Sequence, residues 1–169
     1  QRLNCQRDGT MGMGWVRYRR DQEFVQAALR DPDVLMDLLD DEDEDNSTDL
    51  DKAWHGIHWL LTGSAEPDAG AGSQVIFGGE PLGEEVGYSP FHLILPADVA
   101  RVAAFLEGVD ADTLRSRMDP AAMSAADLYP DIWDQEYLFD QYVLPYYEDL
   151  RAFYRAAAAA GQGVFHAIV

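Results

Sequence analysis

The chain has almost no cysteine and few positive charges. Cys5 is the single cysteine in 169 residues, so an internal disulfide framework and a cysteine metal site are both excluded. Lysine and arginine total 12 against 31 aspartates and glutamates, and the formal net charge is −19. This charge opposes binding to nucleic acid and to anionic membranes, and it would attract cations or a basic protein partner.

Long apolar runs are also missing. No stretch reaches the ~18 residues that a membrane-spanning helix needs, and the N-terminal residues lack the apolar core of a signal peptide. We therefore expect a cytoplasmic protein. Residues 1–10 show no periodicity and Met11 resembles a native start, so we expect a tag or other non-native extension at 1–10 and a single domain at 11–169.

What is present predicts one globular α+β domain. Hydrophobic residues make up 47% of the chain, which is enough for a sizeable core. Apolar spacing predicts strands at 15–19, 88–95 and 164–169, and longer helices at 21–30, from Pro32, at 49–62, from Pro96 to near Gly108, and at 133–160 with a kink at Pro145. The expected fold is mostly helical, with a small sheet formed by strands near both termini and in the middle.

Shorter segments are predicted from local composition. Residues 64–74 are rich in glycine, alanine and serine, which is typical of a loop, and residues 75–77 are expected to form a short strand or a buried turn. Asp31 should begin the helix at Pro32, and Asp110 and Asp119 should each begin a short helix, because an aspartate accepts hydrogen bonds from free backbone N–H groups at a helix start.

The predicted helix 49–62 carries three candidate metal ligands. Asp51, His55 and His58 are spaced at i, i+4 and i+7, so their side chains could converge on one ion. The spacing is not the His-Glu-x-x-His pattern, and His58 also shares an apolar stripe with Trp54, Ile57 and Leu61. The stripe favours a buried, hydrogen-bonded His58 over a metal ligand, so we expect no metal site.

The acidic run 40–45 matches a calcium loop only in part. Asp41, Asp43 and Asp45 occupy its positions 1, 3 and 5. Asn46 stands where the loop requires glycine, and Lys52 stands where it requires a bidentate glutamate. Because a cation at the twelfth position opposes calcium, the sequence predicts a solvated acidic loop without a bound cofactor.

Catalytic motifs are weak. Gly78-Gly79 precedes Glu80, Glu84 and Glu85, and these acids would repel a phosphate group. No Gly-x-Ser-x-Gly elbow is present, and Ser89 lies in an ordinary turn before a proline. The sequence therefore favours a non-enzymatic function.

Three segments carry a resemblance to a known family. They are 52–63 with Trp54, His58 and Leu61-Thr62-Gly63, then 78–90, then 129–133. Over residues 11–169 the chain resembles the YfbM-like bacterial family, a domain of unknown function. The resemblance implies the fold of that family, and it implies no catalytic residues because the family has none agreed. His55 does not belong to the family pattern.

Two functions compete at this point. The first is a non-enzymatic acidic binding module that neutralises a basic protein partner, and an immunity protein would be one form of it. The second is a small-molecule binder or enzyme with an aromatic and polar pocket, lined by Trp54, His58, Tyr88, Asp131 and Trp133. For His58 as a core residue, Asp131 and Tyr88 are the two expected hydrogen-bond partners. The oligomeric state is left open.

Overall fold

A computed structural model describes residues 12–169, so the expectation for residues 1–10 lies outside the described residues. Five strands form one antiparallel sheet in the order β2-β1-β5-β4-β3. They are β1 (Trp15–Arg20), β2 (Ser47–Asp49), β3 (Glu80–Glu85), β4 (Pro90–Ile94) and β5 (Gly163–Ile168). The strands from the two ends of the described chain therefore pair directly, and β5 lies at the centre.

The helices follow the strands in chain order. They are α1 (Gln22–Arg30), a 3-10 helix (Pro32–Asp40), α2 (Trp54–Thr62), α3 (Ala71–Phe77), α4 (Pro96–Glu107), α5 (Ala111–Ser116), α6 (Pro120–Ala125), a π-helical turn (Phe139–Val143) and α7 (Leu144–Ala159). At four of these helix starts an aspartate side chain accepts a backbone N–H: Asp21, Asp31, Asp110 and Asp119. The sequence predicts the last three of them.

Both faces of the sheet are covered. On one face α1 and the 3-10 helix pack over a small cluster that includes Tyr18, Phe91 and Phe165. On the other face the remaining helices build the main core, which includes Trp54 and Trp133. Side chains alternate between faces along β1, β4 and β5, so each of these three strands contributes to both cores. The expected single-domain α+β fold is confirmed.

Several helices and strands differ from the predicted ones in their bounds or type. The predicted helix 49–62 begins only at Trp54, because β2 occupies Ser47–Asp49 and Asp51 adopts a left-handed φ of 47°. Residues 75–77 are the end of α3, not a strand or turn. The predicted helix 133–160 begins later, at the π-helical turn, and Pro145 lies in the first turn of α7. Glu80–Glu85 forms an edge strand that the pattern did not predict.

Among the described residues, none of the helices combines the length and the apolar character required to cross a bilayer.

Candidate functional site

The five residues of the predicted pocket do not line a common cavity. Trp54, His58 and Trp133 are buried in the main core. Tyr88 is 52% exposed, and Asp131 also lies on the surface. The Trp133 indole packs directly against the backbone of Gly56 and donates from Nε1 to the Leu128 carbonyl, so it fills space behind α2 and does not face an opening.

His58 is a core residue, and its partner differs from both expected ones. Its Nε2 lies 3.1 Å from the carbonyl oxygen of Glu66, and neither Tyr88 nor Asp131 contacts it through a hydrogen bond among the described residues. Its ring meets Phe77 edge to face, with centroids 4.7 Å apart. Burial lowers the pKa of His58, and the Glu66 carbonyl partly offsets that effect.

His55 is bonded at both ring nitrogens. The backbone N–H of Tyr129 donates to Nδ1 at 2.9 Å, so the neutral ring carries its proton on Nε2 and donates it to the Ala65 carbonyl at 3.0 Å. The ring also stacks on Trp54. His55 and His58 thus hold the loop after α2 through adjacent carbonyls, and their Nε2 atoms are occupied by that loop.

The metal triad considered from the sequence is not assembled. Asp51 lies before α2, where its carboxylate accepts a hydrogen bond from the Tyr142 hydroxyl at 2.6 Å. Within residues 12–169 no group of three or more histidine, aspartate, glutamate or cysteine side chains is placed to hold a metal ion. The spacing of Asp51, His55 and His58 therefore reflects two separate structural roles.

The acidic run forms an ordered exposed surface together with the 3-10 helix before it. We call this surface the acidic ridge; its nine exposed acids are Asp31, Asp33, Asp37, Asp40, Asp41, Glu42, Asp43, Glu44 and Asp45. In the described part of the chain, Arg20 with Asp41 is the one ion pair that involves the ridge. Met36, 52% exposed, lies among these acids.

Side chains of the ridge fix its own loop. Asp41 Oδ1 accepts from the N–H of Asp43, and Asp43 Oδ1 accepts from the N–H of Asp45. The Asn46 amide donates to the other oxygen of Asp43 at 2.6 Å. This hydrogen bond from Asn46 is the main cause that lowers the pKa of Asp43. The negative charges are therefore held in a fixed arrangement, and β2 follows where a calcium loop would continue into a helix.

A second feature, which the sequence analysis missed, crosses the centre of the sheet. Arg17 on β1, His166 on β5 and His92 on β4 are paired across neighbouring strands, on the face toward the main core. Arg17 and His166 are almost fully buried. The alternation of β5 carries this signal, since His166 lies between Val164 and Ile168 on the face toward the main core.

Within residues 12–169, Arg17 has no carboxylate partner. Its Nη1 donates to the Tyr154 hydroxyl at 3.0 Å and its Nη2 to the Ile76 carbonyl at 3.4 Å, while Nε has no hydrogen-bond partner. The guanidinium carbon lies 5.6 Å from the centroid of the Trp15 ring. Burial lowers the pKa of Arg17, because removal from water disfavours the charged form.

His166 is locked in one neutral form. The Trp15 indole N–H donates to Nδ1 at 2.9 Å, and Nε2 donates to the Gly78 carbonyl at 2.6 Å. Burial, and then the charge of Arg17, hold the pKa of His166 well below its usual value. The Gly78-Gly79 pair thus supplies a carbonyl to the sheet and a tight connection into β3, with Gly79 at a φ of +89°.

A cavity of about 160 Å³ lies at the end of this row. We call it the β4–β5 cavity; its lining residues are Trp15, Phe77, Ser89, His92, His166 and Ile168. The His92 and His166 rings are nearly parallel, with centroids 5.3 Å apart. Burial lowers the pKa of His92, and its Nδ1 is buried without a hydrogen-bond partner in the described structure. The cavity is therefore mostly apolar with few free polar atoms.

Comparison with known proteins identifies the family of the chain and a solved structure with a similar fold. A family model, described as a domain of unknown function (DUF1877), matches residues 11–166, and the chain belongs to this family. The fold is similar to the crystal structure of YfbM from Escherichia coli, a protein of unknown function. The two chains share 23% identity with a TM-score of 0.72, over 93% of this chain and 99% of that one. No curated protein matches the chain.

Proposed function

We propose that the protein is a non-enzymatic binding module that uses the acidic ridge to bind a basic protein partner. The observation that carries the proposal is the ordered concentration of charge: nine exposed acids lie between residues 31 and 45, and within the described residues Asp41 alone among them forms an ion pair, with Arg20. The sequence from 31 to 51 contains no lysine, arginine or histidine. Solvent cations therefore balance the negative charge of this segment, and a basic partner can displace them.

The order of the ridge supports the same proposal. The Asp41 and Asp43 carboxylates accept hydrogen bonds from backbone N–H groups and from the Asn46 amide, and these fix the loop, so a partner does not have to order it on binding. Binding to a preorganised surface avoids the conformational entropy that a flexible acidic tail would lose. Exposed Met36 adds an apolar contact at the middle of the charged surface.

We propose that the protein acts in the cytoplasm, as expected from the sequence. The sequence contains one cysteine, Cys5, so no internal disulfide can form. The competing small-molecule function has less support, because Trp54, His58 and Trp133 are core residues while Tyr88 and Asp131 are exposed. An immunity-like role would be one form of the proposed function, since it requires the same neutralisation of a basic protein.

Two variants in which four acidic side chains are replaced by their uncharged amides test the ridge. The ridge variant carries Asp37→Asn, Asp40→Asn, Glu42→Gln and Glu44→Gln, four exposed side chains that form no ion pair or hydrogen bond with other residues of the described range. The control variant carries Asp112→Asn, Asp134→Asn, Glu136→Gln and Asp149→Asn, which change the net charge equally at exposed positions elsewhere. The ligand is a synthetic peptide of about ten residues that alternates lysine and glycine, and the dissociation constant is measured by titration calorimetry at two salt concentrations.

We expect the ridge variant to weaken peptide binding by roughly tenfold and the control variant by less than about threefold. The salt dependence should also be shallower for the ridge variant, because fewer charges take part. Equal weakening by the two variants would mean that only the total charge matters, and the ridge would then not be a binding surface.

A further inference from the structure

The β4–β5 cavity is separate from the acidic ridge and has a different chemistry. It lies on the main-core face of the sheet, whereas the ridge follows the 3-10 helix on the opposite face. Its walls combine aromatic faces from Trp15 and Phe77 with the aliphatic side chain of Ile168. Phe77, Ser89, His92 and Ile168 are only half-buried, so this cavity lies close to the surface.

The size of the cavity sets the size of a ligand. Apolar cavities of about 150 Å³ bind benzene in other proteins. At about 160 Å³, the β4–β5 cavity has room for one six-membered ring with a single substituent. A bicyclic ligand or a nucleoside is too large for this volume.

The polar groups of the lining determine whether a ligand in the cavity can carry a charge. His166 uses both ring nitrogens within the protein, and the Ser89 hydroxyl donates to the Pro90 carbonyl and accepts from the N–H of Ile168. His92 is the lining residue that retains an unused buried nitrogen in the described structure. Arg17 does not line the cavity, so a carboxylate placed there would be desolvated without a cation in contact.

We propose that the β4–β5 cavity binds a small uncharged aromatic molecule that carries one polar group, of the size of phenol. The ring would pack between Trp15, Phe77 and Ile168, and the hydroxyl would form a hydrogen bond with the His92 imidazole. The ligand class follows from three features together: the volume, the aromatic walls and the single side chain with spare hydrogen-bonding capacity.

Binding is tested by NMR titration of the full chain with phenol, toluene and sodium benzoate. Two resonances report on the cavity directly: the Trp15 indole N–H, which donates to His166, and the Ile168 amide, which donates to Ser89. We expect phenol to shift both and to bind roughly tenfold more tightly than toluene, the value of about one hydrogen bond. Benzoate should bind weakest. Absence of shifts at these two positions, or tightest binding by benzoate, would overturn the proposal.

Two variants and a control assign the contacts. His92→Phe keeps an aromatic ring and removes its nitrogens, so it should bring phenol and toluene to the same affinity. Ile168→Phe fills the cavity and should abolish the shifts for both ligands, with thermal melting used to show that the variant is folded. Tyr88→Ala, a neighbouring exposed position outside the lining, should bind like the wild type.

A phenol preference that survives in His92→Phe would remove His92 from the site and overturn the proposed polar contact. Binding that persists in a folded Ile168→Phe variant would place the ligand elsewhere. If Ile168→Phe does not fold, the positions of the wild-type shifts and the His92→Phe comparison decide the question.

Discussion

His55 and His58 lie one turn apart at the start of α2 and bond to adjacent carbonyls, those of Ala65 and Glu66. The two residues nevertheless differ in the number of chain segments to which they bond. His58 is completely buried and bonds to one segment, whereas half-buried His55 bonds to two, because Tyr129 donates to its second nitrogen. His55 therefore connects the loop after α2 to the turn at Tyr129, which are distant in sequence.

The spacing of apolar residues correctly placed His58 in the core stripe of α2, but it could not identify the hydrogen-bond partners. From the sequence alone, His55→Ala is expected to cost much less stability than His58→Ala, because His55 lies off the stripe. The partners of both are backbone groups of loops, and backbone groups carry no sequence signal. The same limit explains why Tyr88 and Asp131 were wrongly expected to bond to His58.

We now expect His55→Ala and His58→Ala to destabilise the protein by similar amounts, each ~1–3 kcal/mol. Loss of His55 leaves the Tyr129 N–H and the Ala65 carbonyl without partners, and loss of His58 opens a gap beside Phe77. Urea unfolding of both variants measures the difference. A cost below ~0.5 kcal/mol for His55→Ala would contradict the connecting role.

Stability should depend on pH through the buried histidines. Burial lowers the pKa values of His58, His92 and His166, so each is neutral in the fold and binds protons more readily when unfolded. Their contribution is therefore complete above the unfolded pKa of ~6.5 and is lost as the pH falls toward the folded values. A single such group changes the unfolding free energy by at most ~1.4 kcal/mol per pH unit.

His58→Gln isolates one of these groups, because glutamine cannot titrate and its amide can still donate to the Glu66 carbonyl. We expect unfolding free energy to fall less steeply between pH 7 and about 5.5 in this variant than in the wild type. Identical slopes would show that His58 does not titrate differently in the folded and unfolded states.

At the scale of elements, α2 depends on a close approach to Trp133. A Cβ built on Gly56 would come within 2.1 Å of the Trp133 ring, so the helix and the indole are in direct contact through the glycine. The sequence gives no direct sign of this contact, since a glycine inside a helix normally weakens it. Its reason becomes visible only when the chain segment after Leu128 folds back onto α2.

Gly56→Ala should therefore destabilise the protein by ~2–4 kcal/mol, although alanine favours helix by ~1 kcal/mol. Gly108→Ala is a matched control, because Gly108 has ordinary helical backbone angles and its added Cβ meets its nearest neighbour at 3.4 Å. We expect the control to lie within ~0.5 kcal/mol of the wild type by thermal melting and urea unfolding. A neutral Gly56→Ala would mean that the indole moves away easily.

Elements with a strong apolar period were predicted, and elements defined by pairing were not. The apolar residues of β1, β4 and β5 predict buried strands. The apolar face of α4, with Pro96 at its start, predicts a helix. β2 is a three-residue strand that reads as a set of helix caps, and β3 is a polar edge strand. Both are strands because a neighbour pairs with them, which local sequence does not encode.

At the scale of the whole molecule, repulsion among the acids opposes folding. Five ion pairs within the described residues engage few of the 31 acids, and the formal net charge is −19. Raising sodium chloride from about 20 mM to 500 mM shortens the screening length from roughly 20 Å to about 4 Å. Screening should therefore stabilise the compact state more than the extended one.

We expect this increase in salt to raise the melting temperature at pH 7 by roughly 3–6 °C, which is ~1–2 kcal/mol for a chain of this length. The four-residue ridge variant should show a smaller rise, because it has lost part of the local repulsion. A fall in melting temperature with salt would show that attractive ion pairs outweigh repulsion.

The central position of β5 has a consequence for how the chain is made. β1 contacts β2, and β4 contacts β3, but the two pairs meet only through β5, whose residues 163–168 come last in the described chain. On the ribosome, each pair can form early, whereas the complete sheet must wait until Ile168 has left the exit tunnel. The open edges of β1 and β4 would be exposed to other nascent chains during that time, which makes this interval of synthesis the one most open to misassembly.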